Sequence, residues 1–112
     1  MTGGEYLAWA DALFGPMAVR AIRRMRADAV FMSASAITDG AAYHPTEEAA
    51  EVKRAMLASS SLRVLYVDHS KFDRRALHRV APLTDYDVLI LDRGTPEDHL
   101  ASLPDGIRVV RV

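Results

Sequence analysis

Several polar side chains directly follow a short apolar run at residues 64–67. Asp68, Ser70 and Lys71 lie within four positions of one another. A lysine three residues after a strand-end aspartate can place its ammonium charge in a crevice, and lysine is a common phosphate ligand because its charge is mobile. The same spacing also fits a plain turn in which Asp68 caps the backbone and Lys71 points into water. These residues therefore predict a candidate anion site and leave the plain turn open.

A second polar stretch follows the apolar run at residues 29–32 and includes Ser33, Ser35 and Asp39. Small residues let a ligand approach the backbone, whose amide groups can hold an oxyanion, but the stretch also fits an ordinary connection. A third polar loop begins at Asp92, after the apolar run 88–91. Ligands of open α/β sheets bind beyond the carboxyl ends of the strands, so the predicted ligand-binding residues are Lys71, Asp68, Ser70, Ser33, Ser35 and Asp39.

The sequence lacks the patterns that catalysis and metal binding usually require. It has no cysteine, and its four histidines show no metal-ligand spacing on one predicted face. It contains no nucleophile-elbow serine, no phosphate-binding loop and no dinucleotide glycine pattern. Asp68 can act with His69 or His44 as acid and base only if folding brings them together. We therefore predict no catalytic residue, no metal site and no cofactor.

Helix signals separate the apolar runs. Pro16 suits the first turn of a helix, and Thr46 is a suitable N-cap because its hydroxyl can accept an amide hydrogen of the first turn. Turn signals lie at Gly3-Gly4 and at Asp39-Gly40. Helices are predicted at residues 16–26, 46–59, 74–79 and 96–103.

The apolar runs predict buried strands at residues 29–32, 64–67, 88–91 and 107–110, because they are short and rich in valine, isoleucine and leucine. Apolar strands that alternate with helices indicate a parallel sheet covered on both faces. The predicted fold class is therefore α/β, a Rossmann-like three-layer α/β/α arrangement with a mainly parallel sheet of about four strands. Residues 1–112 are expected to form a single unit.

Composition limits the other classes of protein. Half of the 112 residues are hydrophobic and 26% are charged, as in ordinary globular domains. The net charge of -1 argues against a nucleic-acid surface over the whole chain. No apolar run approaches the roughly 20 residues that span a bilayer, and the first residues lack the pattern of a signal peptide. We expect a cytoplasmic protein that does not bind membranes.

Several segments together resemble the C-terminal effector domain of DeoR-type bacterial repressors. Residues 65–72, Leu-Tyr-Val-Asp-His-Ser-Lys-Phe, are similar to the family's strand followed by Asp-x-Ser-Lys-Phe. The helix before this strand, the next strand and the terminal strand are matched by residues 50–56, 86–92 and 106–109. Gly3-Gly4 and Gly15-Pro16 fit the family's glycine motifs near the start. The resemblance covers nearly the whole chain in the expected order.

The resemblance implies a fold shared with ribose-5-phosphate isomerases and CoA transferases, and a sensor for a phosphorylated sugar or related metabolite. It implies that Lys71 contacts the phosphate or sugar, that Asp68 orients it or holds a sugar hydroxyl, and that the loop 33–40 lies beside the ligand. The family binds operator DNA through a winged helix-turn-helix, which this chain lacks. The chain departs from the family at Ser35 or Ala36, where relatives have glycine, and at Ala49, where they have glutamate.

Three functions follow as hypotheses. The first is a regulatory effector-binding domain, the C-terminal portion of a sensor whose first half is missing here. The second is a fragment of an isomerase-like enzyme, with Asp68 or Asp39 as base and Lys71 as electrophile. The third is a dimerisation module without ligand. An incomplete sheet leaves an unpaired edge that favours strand pairing, so a homodimer is expected.

Overall fold

The computed structural model describes residues 16–112, so the turn predicted at Gly3-Gly4 lies outside the described residues. Helices and strands alternate over much of this range. In chain order they are α1 (Pro16–Arg23), β1 (Ala27–Met32), β2 (Ala36–Thr38), β3 (Ala41–His44), α2 (Glu47–Ala58), β4 (Ser60–Val67), β5 (His78–Pro82), β6 (Val88–Leu91), α3 (Glu97–Ala101) and β7 (Arg108–Arg111). Short 3-10 helices span His69–Asp73 and Leu83–Asp85.

The main sheet has four strands, all parallel, in the order β1-β4-β6-β7. Its strands include all of the apolar runs at residues 29–32, 64–67 and 88–91, and most of the run at 107–110. Pairing with β1 extends β4 back to Ser60, which aligns with Ala27. The predicted α/β fold with a mainly parallel sheet of four strands is confirmed.

Helix α2 begins where its capping residue predicts. The Thr46 hydroxyl accepts a hydrogen bond from the Ala49 N–H at 3.3 Å and caps α2. Helix α1 ends at Arg23, three residues earlier than expected. The last turn tightens there, since the N–H groups of Arg24 and Met25 bond carbonyls three residues back. The chain must then straighten because the Ala27 N–H donates to the Ser59 carbonyl and begins β1. Within residues 16–112, no helix is long and apolar enough to cross a bilayer.

A second sheet was not predicted. Strands β2, β3 and β5 pair antiparallel, in the order β2-β3-β5. Asp39 and Gly40 form a two-residue turn between β2 and β3, and both have positive φ, 51° and 74°, as the tight turns of hairpins require. The prediction of a polar connection over residues 33–44 was thus incomplete. The helix predicted at residues 74–79 is wrong, because pairing with β3 draws His78 and the residues after it into a strand and overrides local helix propensity.

The two faces of the parallel sheet differ in exposure. Alternate strand residues point to opposite faces. On one face, Leu65, Leu89 and Leu91 are fully buried and form the main core with residues of α2 and the second sheet. On the other face, Phe31 is 62% exposed and Tyr66 is 48% exposed. The first face is therefore covered, as expected. On the second face Val64 is buried, at 3% exposed, whereas the aromatic side chains of Phe31 and Tyr66 stay exposed.

The fully buried Leu65 should be critical for stability. Replacing Leu65 with alanine removes apolar burial and leaves a cavity, so the free energy of unfolding should fall by about 2–5 kcal/mol. Urea denaturation monitored by circular dichroism measures this loss. Leu77→Ala is the matched control, since Leu77 is 79% exposed and its replacement should change stability by less than about 0.5 kcal/mol. Equal effects of the two substitutions would contradict this description of the core.

Candidate functional site

A cleft of about 500 Å³ opens at the carboxyl ends of β4 and β6. Parallel pairing aligns Val67 with Leu91, the last residues of these strands, so the loops that follow them start side by side. The end of β1 adds Ser33. The cleft is lined by Ser33, Tyr66, Val67, Asp68, Lys71, Ile90, Leu91, Asp92 and Val112. This is the edge where ligands of open α/β sheets bind.

The loop after β4 is a capped 3-10 helix. Asp68 is its N-cap, and Asp68 Oδ1 accepts hydrogen bonds from the Ser70 N–H at 2.8 Å and from the Ser70 hydroxyl. These bonds, the one from the hydroxyl first, lower the pKa of Asp68, so its carboxylate is ionised at neutral pH. The Lys71 N–H donates to the Asp68 carbonyl. The cap thus holds the backbone of Lys71 beside the cleft that its side chain lines.

His69 and Asp92 form a pair that their positions in the sequence did not predict. The His69 N–H donates to Asp92 Oδ1 at 2.8 Å, and His69 Nδ1 lies 2.6 Å from Asp92 Oδ2. Because an ionised carboxylate only accepts hydrogen bonds, Nδ1 carries the proton. The Thr95 hydroxyl also donates to Asp92 Oδ1, at 3.0 Å. A side chain at Gly94 would begin only 3.1 Å from Asp92 Oδ2, so glycine leaves room for the pair.

The pair changes the charge of the cleft. The hydrogen bond that His69 donates to Asp92, and then the negative charge of Asp92, raise the pKa of His69. The same hydrogen bond is the main reason that the pKa of Asp92 is lowered. When His69 is protonated, its positive charge offsets the carboxylate of Asp92, which lines the cleft. This arrangement can hold an anion near Lys71. The free lone pairs of Asp68 can accept hydrogen bonds from the hydroxyl groups of a ligand.

Not all of the other predicted residues line this cleft. Ser33 lines it, and its carbonyl accepts a hydrogen bond from Lys53 Nζ of α2. Ser35 does not line the cleft, and its N–H donates to the Tyr43 carbonyl beside the hairpin. Asp39 lies at the hairpin turn and lines a separate depression with Phe72 and Arg75.

The floor of the cleft is apolar. Tyr66 pairs with Ile90 in the sheet, and both side chains line the cleft beneath the charged rim. Tyr66 was not expected to line a site, because the apolar run at residues 64–67 predicts a strand that is buried throughout. His44, considered above as an acid–base partner, does not line the cleft, and burial lowers its pKa, followed by the charge of Lys53. In the described part of the chain, no three His, Asp or Glu side chains cluster to hold a metal ion.

Known proteins resemble the chain over most of its length. A family model described as "DeoR C terminal sensor domain" matches residues 1–93. The glycerol-3-phosphate regulon repressor of Haemophilus influenzae is 36% identical over 80% of the chain and 35% of its own length. The transcriptional repressor AccR of Agrobacterium fabrum is 32% identical over 95% of the chain and 42% of its own length. The L-fucose operon activator of Haemophilus influenzae is 30% identical over 88% and 40%. The chain thus spans about two fifths of the length of these curated relatives.

The His69–Asp92 pair should be visible in a titration. We expect NMR to give His69 a pKa above the ordinary value of about 6.5, and Asp92→Asn should lower it because the partner charge is lost. Asp98→Asn, which removes an exposed carboxylate from α3, should leave the His69 pKa unchanged. A wild-type His69 pKa at or below the ordinary value would contradict the pairing.

The same pair predicts a pH-dependent stability. The raised pKa of His69 contributes stability that is fully present below its unfolded pKa and is lost as pH rises through its folded pKa. The lowered pKa of Asp92 contributes stability that is lost as pH falls through its folded pKa. The stability difference between wild type and Asp92→Asn should therefore be largest between about pH 4 and pH 6.5.

Proposed function

Because the chain belongs to the DeoR C-terminal sensor domain family, we propose that it is the effector-binding part of a transcriptional regulator and that its effector is a phosphorylated sugar or a related metabolite. The observation that carries this proposal is the cleft at the ends of β4 and β6, where Lys71 lies beside the ionised Asp68. The volume of the cleft, about 500 Å³, falls within the range of small-molecule sites.

The proposed ligand matches the chemistry of the rim. A phosphate group has negative oxygens that suit the ammonium of Lys71. Sugar hydroxyls donate hydrogen bonds that an ionised carboxylate such as Asp68 can accept. Ser70 acts on the ligand indirectly, because it donates hydrogen bonds to Asp68. Ser33 lines the side of the cleft next to β1. Ser35 and Asp39 do not line the cleft, so we assign the main contacts to Lys71 and Asp68.

An isomerase-like enzyme remains a second candidate, supported by the oriented His69–Asp92 pair, which can exchange a proton at Nε2. The geometry favours the regulator, because the pKa of Asp68 is lowered and a weakly basic carboxylate makes a poor general base. Asp39, the other base considered, lines a separate depression. We therefore propose a binding role rather than catalysis, without a cofactor.

The proposed DNA partner concerns the whole protein, of which this chain covers a part. The relatives are named for the regulation of operons and regulons, and the chain covers about two fifths of them. We propose that operator DNA is bound by a segment outside this chain, in the cytoplasm, and that the metabolite alters that binding.

The charge of Lys71 should contribute strongly to ligand affinity. Lys71→Ala should weaken the binding of ribose 5-phosphate or glycerol 3-phosphate by about 1.5–3 kcal/mol, because it removes a charged hydrogen bond. Isothermal titration calorimetry measures the change. Lys71→Arg keeps the charge and should retain more affinity, and Arg20→Ala removes an exposed charge from α1 and should have no effect. Unchanged affinities in Lys71→Ala would show that the role given to Lys71 is wrong.

We also propose that the chain forms a homodimer. Within residues 16–112, no strand pairs with the outer edge of β1, and Phe31 on this strand is 62% exposed. Open strand edges and exposed apolar side chains favour self-association. Light scattering at micromolar concentration should therefore give twice the mass of the monomer. A clean monomer would count against the dimer and leave the ligand site unaffected.

A further inference from the structure

We propose that Tyr66 is a stacking platform for the carbon skeleton of the ligand, which makes the cleft select sugar phosphates over inorganic phosphate. This inference rests on the proposed function of the cleft, and it adds the residue that determines specificity. The binding of the phosphate group itself is assigned to Lys71.

The exposure of Tyr66 is unusual for its position. It lies on β4, an inner strand of the sheet between β1 and β6. Inner strands of parallel sheets are normally buried on both faces, and Val64, two residues earlier on the same face of β4, is 3% exposed. Tyr66 is 48% exposed, so a large part of its ring faces the cleft and the solvent. Covering that apolar surface with a ligand is favourable because it removes the surface from water.

The strand geometry sets the separation between the Tyr66 ring and the charged side chains at the strand ends. Residues two apart on a strand point to the same face, so Tyr66 shares its face with Asp68, at the strand end, and Ile90 shares its face with Asp92. Two residues span roughly 7 Å along a strand. This separation suits a ligand whose carbon ring lies on Tyr66 and Ile90 while its hydroxyl and phosphate groups reach the rim.

The chemistry of the ring favours a sugar over a bare anion. The face of an aromatic ring carries partial negative charge and attracts the partially positive C–H edges of a neighbouring group. A sugar ring presents such C–H groups on one face. Inorganic phosphate has no C–H groups, and its negative oxygens are not attracted to the face of the ring. The platform therefore discriminates between the two ligands even though both can meet the charge of Lys71.

The same face offers a matched control. Phe31 is also an exposed aromatic residue on this face of the sheet, at 62% exposed, but it does not line the cleft. If the exposed aromatic rings only served as a contact surface for protein, Phe31 and Tyr66 would behave alike towards small ligands. If Tyr66 is a platform, only Tyr66 affects the binding of the sugar.

The experiment compares two probes, ribose 5-phosphate and inorganic phosphate, by isothermal titration calorimetry on the protein and its variants. Tyr66→Ala should weaken the binding of ribose 5-phosphate by about tenfold, the scale of an aromatic contact, and leave the binding of inorganic phosphate unchanged. Tyr66→Phe keeps the ring and should retain the preference for the sugar. Phe31→Ala should change neither affinity. Tyr66→Leu, which keeps apolar volume on the strand, serves if the alanine variant does not fold, and it should lose part of the preference.

The other outcomes separate the two proposals. Equal losses for both probes in Tyr66→Ala and Tyr66→Leu, or no loss for either, would overturn the platform and leave the ligand site at Lys71 standing. Equal effects of Phe31→Ala and Tyr66→Ala on the sugar would also overturn it. Binding of neither probe to the wild-type protein would overturn both the platform and the proposed function.

Discussion

The hydrogen-bonded register of β4 against β6 aligns Tyr66 with Ile90 and Val67 with Leu91. Both strands end at the same edge, so Asp68 and Asp92 leave the sheet as neighbours on one face. The contacts of His69 with Asp92 follow from this alignment, because it brings Asp92 within hydrogen-bond distance of the backbone and ring of His69. A shift of one residue would turn Asp92 to the opposite face and separate the two loops.

The cleft combines charges that constrain one another. Asp68 and Asp92 are both ionised and would repel an anionic ligand in isolation. Each is held by other groups: Asp68 Oδ1 by Ser70, and Asp92 by His69 and Thr95. Lys71 supplies an opposing charge at the cleft, and His69 carries one against Asp92 when it is protonated.

The small antiparallel sheet separates residues that lie close together in the sequence. Ser33 stays at the end of β1, beside the cleft, whereas the hairpin β2–β3 carries Asp39 away to another depression. The hairpin depends on positive φ at Asp39 and Gly40 and on the pairing of β3 with β5. Residues 33 to 40 are therefore not one irregular loop, although they appear so in the sequence.

The sequence by itself determined the parallel sheet, the start of α2 and the Asp68–Lys71 segment, because these depend on local properties: runs of apolar residues, a hydroxyl that caps a helix, and a carboxylate that caps a turn. Only the tertiary structure decided the strand nature of residues 78–82, the pairing of His69 with Asp92 and the exposure of Tyr66. Each of these depends on a partner distant in the chain. Residues 78–82 became a strand because β3 offered hydrogen bonds. Tyr66 stayed exposed because the core formed with α2 and the second sheet on the other face of the parallel sheet. The residues of a single strand do not specify which of its two faces is covered.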